Sequence, residues 1–594
     1  MKSYHYIIGL LTIFSGLLTA CNDDEFLKEV TESSYTYSNA FVVSSQVNDC
    51  VSELYWRYRR LHYADSNPDW FLNGNGTDVS DAGRMMNAPT VGKSNFINWS
   101  TTYSYTEVIF NGFYELIARA NMVLQGAETV TWPNEADKVQ AIAQARFFRG
   151  YSYLVLASVF GGVPINEQFE LSARVDYQRE TRTDTYLYAI GELEAAAANL
   201  SEHPVAGRVG KGIAYHCLAE TWLALACIHN NDATYLDNSI NAATEVMKYH
   251  SLMKIRFGKR ADPASTEKFN GFDAWFPDGN VFFDLFQRGN FDYEEGNTES
   301  LWVQQNDFRP LLALNVTVST GFSEGFGPNL RDLAWKDEYL EEGASGGPWR
   351  ILTVFDEFNL SLNFSYEVGG RSQARNEPTY HTKKTVWENC GDDIRNSPVN
   401  IRRGVRVLDP YHSLQGLVIT EETVADYCTS GSVDYFYPIV TKFCPIDDYG
   451  YEGLAEGLGN RGRLWSDMYY YRLAETFLLR AEAKLRKNDK TGAAADINEV
   501  RGRAQAPLVA EEDVTIDYIL DERIRELYGE ELRWKTLLRM GGNIPNDRIT
   551  KHAYWIVDYP TWSGTLGPDF LFPIPQSFID SNLDAVIEQN PGWK

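Results

Sequence analysis

The sequence predicts a mainly α-helical protein, in which a scaffold of paired helices is interrupted by a large loop-rich insertion. Three observations carry this. A helical block recurs late in the chain, with Leu218-Ala219-Glu220-Thr221-Trp222-Leu223 matched by Leu473-Ala474-Glu475-Thr476-Phe477-Leu478. Apolar residues around both copies fall at helical spacing. Between the copies, residues 255–460 are rich in Gly, Asn, Asp, Trp and Tyr and hold no sustained helical period.

The chain opens with Lys2 and an apolar run from Ile7 to Leu18, shorter than the roughly 20 residues a membrane-spanning helix needs. Residues 1–20 read as a signal peptide. It ends in Leu18-Thr19-Ala20-Cys21, where small residues precede a Cys as a lipoprotein signal peptidase requires. Cleavage and lipid attachment at Cys21 are expected; the alternative is an ordinary secretory peptide with an incidental Cys. Each buried methylene of a lipid is worth about 0.8 kcal/mol, so two or more acyl chains anchor stably where one does not. Asn22-Asp23-Asp24-Glu25 then opens an acidic tether over residues 21–40.

The N-terminal helical region, 41–254, holds a helix around Ile109 to Val123 and a stripe of Phe148, Tyr151, Val155 and Val159. Gly161-Gly162-Val163-Pro164 stops that second helix and forces a turn. Ala214, Leu218, Trp222 and Leu225 line one face of the next. A polar turn, Asn230-Asn231-Asp232, leads into the helix from Ile240 to Val246. The C-terminal region, 461–594, repeats this plan. Leu473, Phe477, Ala481 and Leu485 form a stripe, Asn488-Asp489-Lys490 a turn, and Ile497 to Val500 a second helix. A further stripe follows at Ile516, Leu520, Ile524 and Leu527. Paired helices with small Ala residues and a repeat of roughly 34 residues are tetratricopeptide-like. Such hairpins must stack to bury their stripes. Trp302, in Glu299-Ser300-Leu301-Trp302-Val303, reads as a buried strand or helix start.

With 594 residues, 44% hydrophobic, the chain can bury an extensive core. A formal charge of −27 argues against nucleic acid or an anionic membrane surface as partner, because phosphate binding needs clustered Lys and Arg. Contact with a membrane is expected through the lipid anchor only. Besides Cys21, the Cys residues at 50, 217, 227, 390, 428 and 444 form no CxxC pair. Most are expected to be free, with Cys217 and Cys227 acting as small buried hydrophobes. Nine His without HExxH spacing give no metal motif, and no cofactor is expected.

Five ordered blocks then carry a resemblance. They are Arg146-Phe147-Phe148-Arg149-Gly150-Tyr151-Ser152-Tyr153 running to Phe160-Gly161-Gly162-Val163-Pro164-Ile165; Arg208-Val209-Gly210-Lys211-Gly212; Tyr471 to Ala504, with Arg480-Ala481-Glu482-Ala483 and Ile497-Asn498-Glu499-Val500-Arg501; Glu522-Arg523-Ile524-Arg525-Glu526-Leu527 with Glu530-Glu531-Leu532-Arg533-Trp534; and Phe572-Pro573-Ile574-Pro575 with Gln589-Asn590-Pro591-Gly592-Trp593. In this order they resemble the SusD/RagB family of outer-membrane nutrient-binding lipoproteins, with Glu531 standing where that family usually has Gly. The resemblance implies a lipid-anchored, outward-facing helical protein that lies as a lid over a SusC-like TonB-dependent barrel. It would capture oligosaccharide, or peptide in the RagB branch, and it implies no catalysis. Within the blocks, Glu522, Arg523, Glu526, Arg480 and Glu482 read as charges that hold helices together.

A sugar offers apolar CH faces and hydroxyl rims, so its site needs exposed aromatic rings flanked by Asp, Asn or Arg. Two stretches have that makeup. The first runs from Trp70 through Asn73-Gly74-Asn75-Gly76-Thr77-Asp78, Asp81 and Arg84 to Trp99; the second spans Arg331 to Arg350, with Trp335, Trp349 and Arg350. For each Trp, core packing is the competing reading. A surface glycosidase is the rival function class, because Asp78 and Asp81 could supply a carboxyl pair. Among 81 acidic residues, however, such a pair arises by chance.

Overall fold

The computed structural model describes residues 41–62, 72–82, most of 100–306, parts of 325–443, 467–553 and most of 567–593. The expected signal peptide, Cys21 and the acidic tether lie outside the described residues, as does Cys444. The fold is mainly helical.

The N-terminal region contributes α1 (Ser44–His62), α2 (Ser104–Thr129), α3 (Glu135–Val159), α4 (Arg182–Asn199), α5 (Lys211–Ile228) and α6 (Ala233–Val246). Each packs on its neighbour in sequence, α1 on α2 through to α5 on α6. The C-terminal region supplies α7 (Leu473–Arg486), α8 (Lys490–Arg503), α9 (Ile516–Leu527), α10 (Arg533–Met540) and α11 (Ile544–His552).

The two repeated hairpins are α5–α6 and α7–α8, and they stack through α6 and α7. Their turns are built alike. Asn230, Asn231 and Asn488 adopt left-handed backbone with φ of 53°, 58° and 66°, which Asn tolerates better than most residues. Asp232 then caps α6 by accepting from the Thr234 and Tyr235 amides, and Asp489 caps α8 by accepting from Gly492.

The predicted stripes are present, but the buried surface is wider than they indicate. On α5, Ala214, Leu218 and Leu225 are buried while Trp222 is only half-buried; His216, Cys217, Glu220 and Thr221 are buried as well. The reason is position: α5 touches α4, α6, α7 and α10, so it has no single solvent face. Cys217 and Cys227 are free thiols, as are Cys50, Cys390 and Cys428.

The stop after α3 is a close-packed corner. A Cβ on Gly162 would stand 2.0 Å from the Glu180 carbonyl oxygen. Asn590 of the closing block locks the same corner, donating to the Phe160 carbonyl (2.8 Å) and the Phe572 carbonyl (2.6 Å). Gly162→Ala is therefore expected to cost about 1–3 kcal/mol through backbone displacement, read as a lowered thermal midpoint.

Four short strands matter to the site: β1 (Ser80–Ala82), β2 (Ser300–Gln304), β3 (Asn376–Pro378) and β4 (Met468–Arg472). The chain leaves the scaffold along β2 and returns along β4, its antiparallel partner, with a register shift around Tyr471. Trp302 is buried in β2, stacked on Tyr58 at 4.7 Å and tilted against Tyr470 at 4.4 Å. In the intervening section, the described elements are strands and helical turns of two to four residues.

The predicted bridging charges form a buried ionic seam along α9. Glu526 meets Arg395 (3.1 Å), Arg472 (2.9 Å) and Arg503. Arg472 also reaches Glu299 and Glu530, while Arg523 joins Glu475 (2.6 Å) to Glu531 (2.7 Å). Arg480 and Glu482 do bridge helices, but with other partners. Arg480 pairs with Asp496 on α8, and Glu482 takes Arg486 and Arg539.

Candidate ligand-binding site

The first sequence candidate, the stretch from Trp70 to Trp99, can be built from its root upward. Residues 72–82 are described, whereas Trp70, Arg84 and Trp99 lie outside the described residues. The root is a tight coil. Gly74 has φ of 132°, a conformation that favours glycine, and a Cβ there would meet Val79 Cγ2 at 2.3 Å. Thr77 Oγ1 donates to the Gly74 carbonyl (2.6 Å), and the Gly76 amide donates to the Ser80 carbonyl (2.8 Å).

The scaffold grips this coil from below. The Trp534 amide donates to the Leu72 carbonyl (3.1 Å), and its indole Nε1 donates to the Asn75 carbonyl (2.8 Å). Asn73 Nδ2 donates to the Gly529 carbonyl (3.2 Å). The insertion grips it from the side. β1 pairs antiparallel with β3, Ser80 facing Pro378 and Ala82 facing Asn376. Thr379 and Thr382 then donate their hydroxyls to the Asp78 and Val79 carbonyls, both at 2.8 Å.

Asp78 corrects an expectation. Its side chain is fully buried, with Arg533 Nε on one oxygen (2.9 Å) and Arg533 Nη2 (2.6 Å) and Arg548 Nε (2.8 Å) on the other. Burial alone would raise its pKa, but the two guanidiniums outweigh that and hold the carboxyl well below the usual range. With both oxygens engaged inside the protein, Asp78 is a core ion pair and not a contact for sugar hydroxyls. Asp81, in β1 opposite Glu377, is likewise buried. Neither offers an exposed carboxyl for acid–base chemistry.

Arg548 extends the grip to α9, donating to Asp521 (2.7 Å), which also meets His381 Nε2 (2.8 Å). His381 stacks on His552 at 3.7 Å. Burial first, and then the neighbouring His381 and Arg548, push the His552 pKa down to about 3.

Of the second candidate stretch, Trp349 and Arg350 lie outside the described residues, and so do Arg331 and Asp332. Trp335 is described and corrects a second expectation: it is 3% exposed, in a bridge to Cys428, and belongs to the main core. It anchors its segment and presents no platform to a sugar. The structure does not bring the two stretches together: β3 pairs with the first, whereas the described residues of the second, Ala334 and Lys336, bond to Thr429 and Tyr427. An exposed ring that sequence reasoning passed over stands beside β3. Tyr380, beside the Thr379 clasp, is 54% exposed; only its neighbours in space, remote in sequence, mark it out.

Comparison with known proteins fits this architecture. Residues 334–593 match the SusD family model, and residues 26–223 match a second model described as starch-binding and associating with the outer membrane. The chain is 36% identical to the starch-binding protein SusD of Bacteroides thetaiotaomicron over 521 residues, 84% of this chain and 80% of that protein. The chain belongs to the SusD family. It is also 26% identical to a SusD-like protein of Bacteroides ovatus over 302 residues, 48% of this chain and about half, 53%, of the relative's length. Among solved structures, a laminarin-binding SusD-like protein superposes with a TM-score of 0.60 at 18% identity, covering 93% of this chain and 100% of that one. Surface glycan-binding protein A from Bacteroides fluxus gives 0.59 at 16%, with coverage of 93% and 100%. Those two share the fold. The Bacteroides thetaiotaomicron relative and these two structures are named as binding proteins, none as an enzyme.

Proposed function

We propose that this SusD-family chain is a surface nutrient-binding lipoprotein that captures oligosaccharide and passes it to a SusC-like TonB-dependent transporter, within a polysaccharide utilisation system. The observation that carries this reading is the match to a starch-binding relative across most of both chains. The firmly rooted 72–82 coil supports it, because loops on rigid frames are where binding usually resides. In this reading Trp70, Arg84, Trp99, Trp349 and Arg350 supply rings and hydrogen bonds to the glycan, with Tyr380 as a further exposed ring. The lipid on Cys21 holds the protein at the outer membrane, facing outward beside its barrel.

The test is retention on affinity gels containing soluble starch, laminarin or other glycans, with a casein peptide mixture as the competing ligand class. Retention by one glycan, weakened in Trp99→Ala with an unchanged thermal midpoint, is the expected result. Retention of peptide alone would move the protein to RagB-type peptide uptake, and release of reducing sugar would make it a glycosidase. Trp335→Ala, by contrast, should act through folding, because its ring is in the core.

A further inference from the structure

Among the described tryptophans only two stand exposed, Trp56 at 46% and Trp275 at 42%. Trp56 already has a companion, since the Arg60 guanidinium lies over its ring at 4.9 Å. Trp275 has none: among the described residues no ring, cation or hydrogen-bonding group meets its indole. It lies in the first part of the insertion, outside both stretches that the sequence marks for sugar binding.

The turn that carries this ring is firmly held. Arg256 forks onto the buried Asp284, Nε on one oxygen (2.9 Å) and Nη2 on the other (3.0 Å). The same guanidinium donates to the carbonyls of Phe276 (2.8 Å), Pro277 (3.3 Å) and Arg260 (2.9 Å). A Cβ on Gly279 would stand 2.5 Å from Arg256 Nη2, so the backbone closes directly against the guanidinium. Phe276 packs inward on Phe283, ring centroids 5.2 Å apart, while its neighbour Trp275 faces water. The Phe276 amide donates to the Arg260 carbonyl (2.9 Å); Lys259, one residue before Arg260, is exposed, and so is Asp278. A ring fixed outward in advance loses little freedom on meeting a ligand.

We infer that Trp275 is a second stacking platform for glycan, apart from the 72–82 coil, which takes the CH face of one sugar ring with Asp278 and Lys259 as its polar rim. A single indole among charged residues and glycine matches the apolar face and hydroxyl rim of one pyranose. A stable protein contact would instead bury roughly 1,200–2,000 Å². The inference rests on the glycan-binding reading above for its ligand.

The test compares the full-length wild type with Trp275→Ala and Trp275→Phe on the same glycan gels, by calorimetry and by hydroxyl-radical footprinting. Trp275→Ala should keep the thermal midpoint, because the ring lies outside the core. It should weaken Kd for the retained glycan by about three- to tenfold, and Trp275→Phe should recover part of the loss. In the wild type, bound glycan should protect Trp275 from oxidation. An unchanged Kd in Trp275→Ala, or equal oxidation with and without glycan, overturns the platform and leaves the glycan reading standing. A wild-type chain that retains no glycan overturns both. Lost self-association in Trp275→Ala with glycan affinity intact also overturns it, assigning the indole to a contact between copies of the chain.

Discussion

Glu526→Ala is expected to lower the unfolding free energy by about 3–5 kcal/mol, the cost of removing one carboxylate from a buried, excess-charge-sensitive ionic cluster. Three guanidiniums, from Arg395, Arg472 and Arg503, converge on this one side chain, and all four residues are shielded from water. Burial would push the Glu526 pKa up; Arg503, Arg472 and Arg395 together reverse that and hold the carboxyl well below its ordinary value. The seam thus stays ionised, and removing its centre takes a shared counterion from three buried cations at once, leaving Arg395 to Asp393 and Glu522, Arg472 to Glu299 and Glu530, and Arg503 to Glu299. Urea unfolding of the purified chain reads the effect. Glu128→Ala is the internal control: Glu128 pairs with Lys138 at the surface with 65% of its side chain exposed, so its loss should change stability by less than about 1 kcal/mol. Similar losses for both would show that the seam contributes no more than a surface pair.

Trp302→Ala should be comparably damaging, at about 3–5 kcal/mol, for a different reason. The indole fills the space between β2 and the first helices. Tyr58 and Tyr470 cover its faces, and Tyr55, Phe147 and Phe148 meet it edge-on at 5.6–6.5 Å. Its Nε1 donates to the Gly207 carbonyl (3.2 Å). Truncation opens a cavity among these rings, and it takes from that partly buried carbonyl its side-chain donor. Trp302→Phe should recover part of the loss, because the stacking survives and only the hydrogen bond and some volume go. A full-size loss in Trp302→Phe would assign the effect to the hydrogen bond instead.

How much of this was readable in advance follows from what kind of contact each residue makes. The helices and the repeated hairpin were legible because helical spacing and the Asn–Asp turns are local features, set within a few residues of each other. Trp302 was legible as buried because its neighbours in sequence are apolar. The ionic seam was half legible: Glu522, Arg523 and Glu526 belong to bridges, yet nothing local tells Arg480 to choose Asp496 or Glu482 to choose Arg539. Asp78 was misread for the same reason at its extreme. It lies in a Gly- and Asn-rich stretch that looks solvated, and its partner Arg533 is 455 positions away. Trp335 was misread because a Gly-rich setting suggested exposure, whereas a bridge to Cys428 folds it inward.

The antiparallel pairing of β2 with β4 has a consequence for how such proteins diversify. Where a chain departs and re-enters at adjacent points, the ends of the excursion are already together. Lengthening it then costs little, about 0.6 kcal/mol for each doubling. The section between Gln304 and Met468 can therefore vary in length, provided the replacement keeps its ties to the frame, among them β3 on β1, the Thr379 and Thr382 hydroxyls on the Asp78 and Val79 carbonyls, His381 on Asp521, and Arg395 and Lys442 on Glu526 and Glu530. A chimera carrying a relative's section with those ties intact is the form in which such an exchange would be recognised.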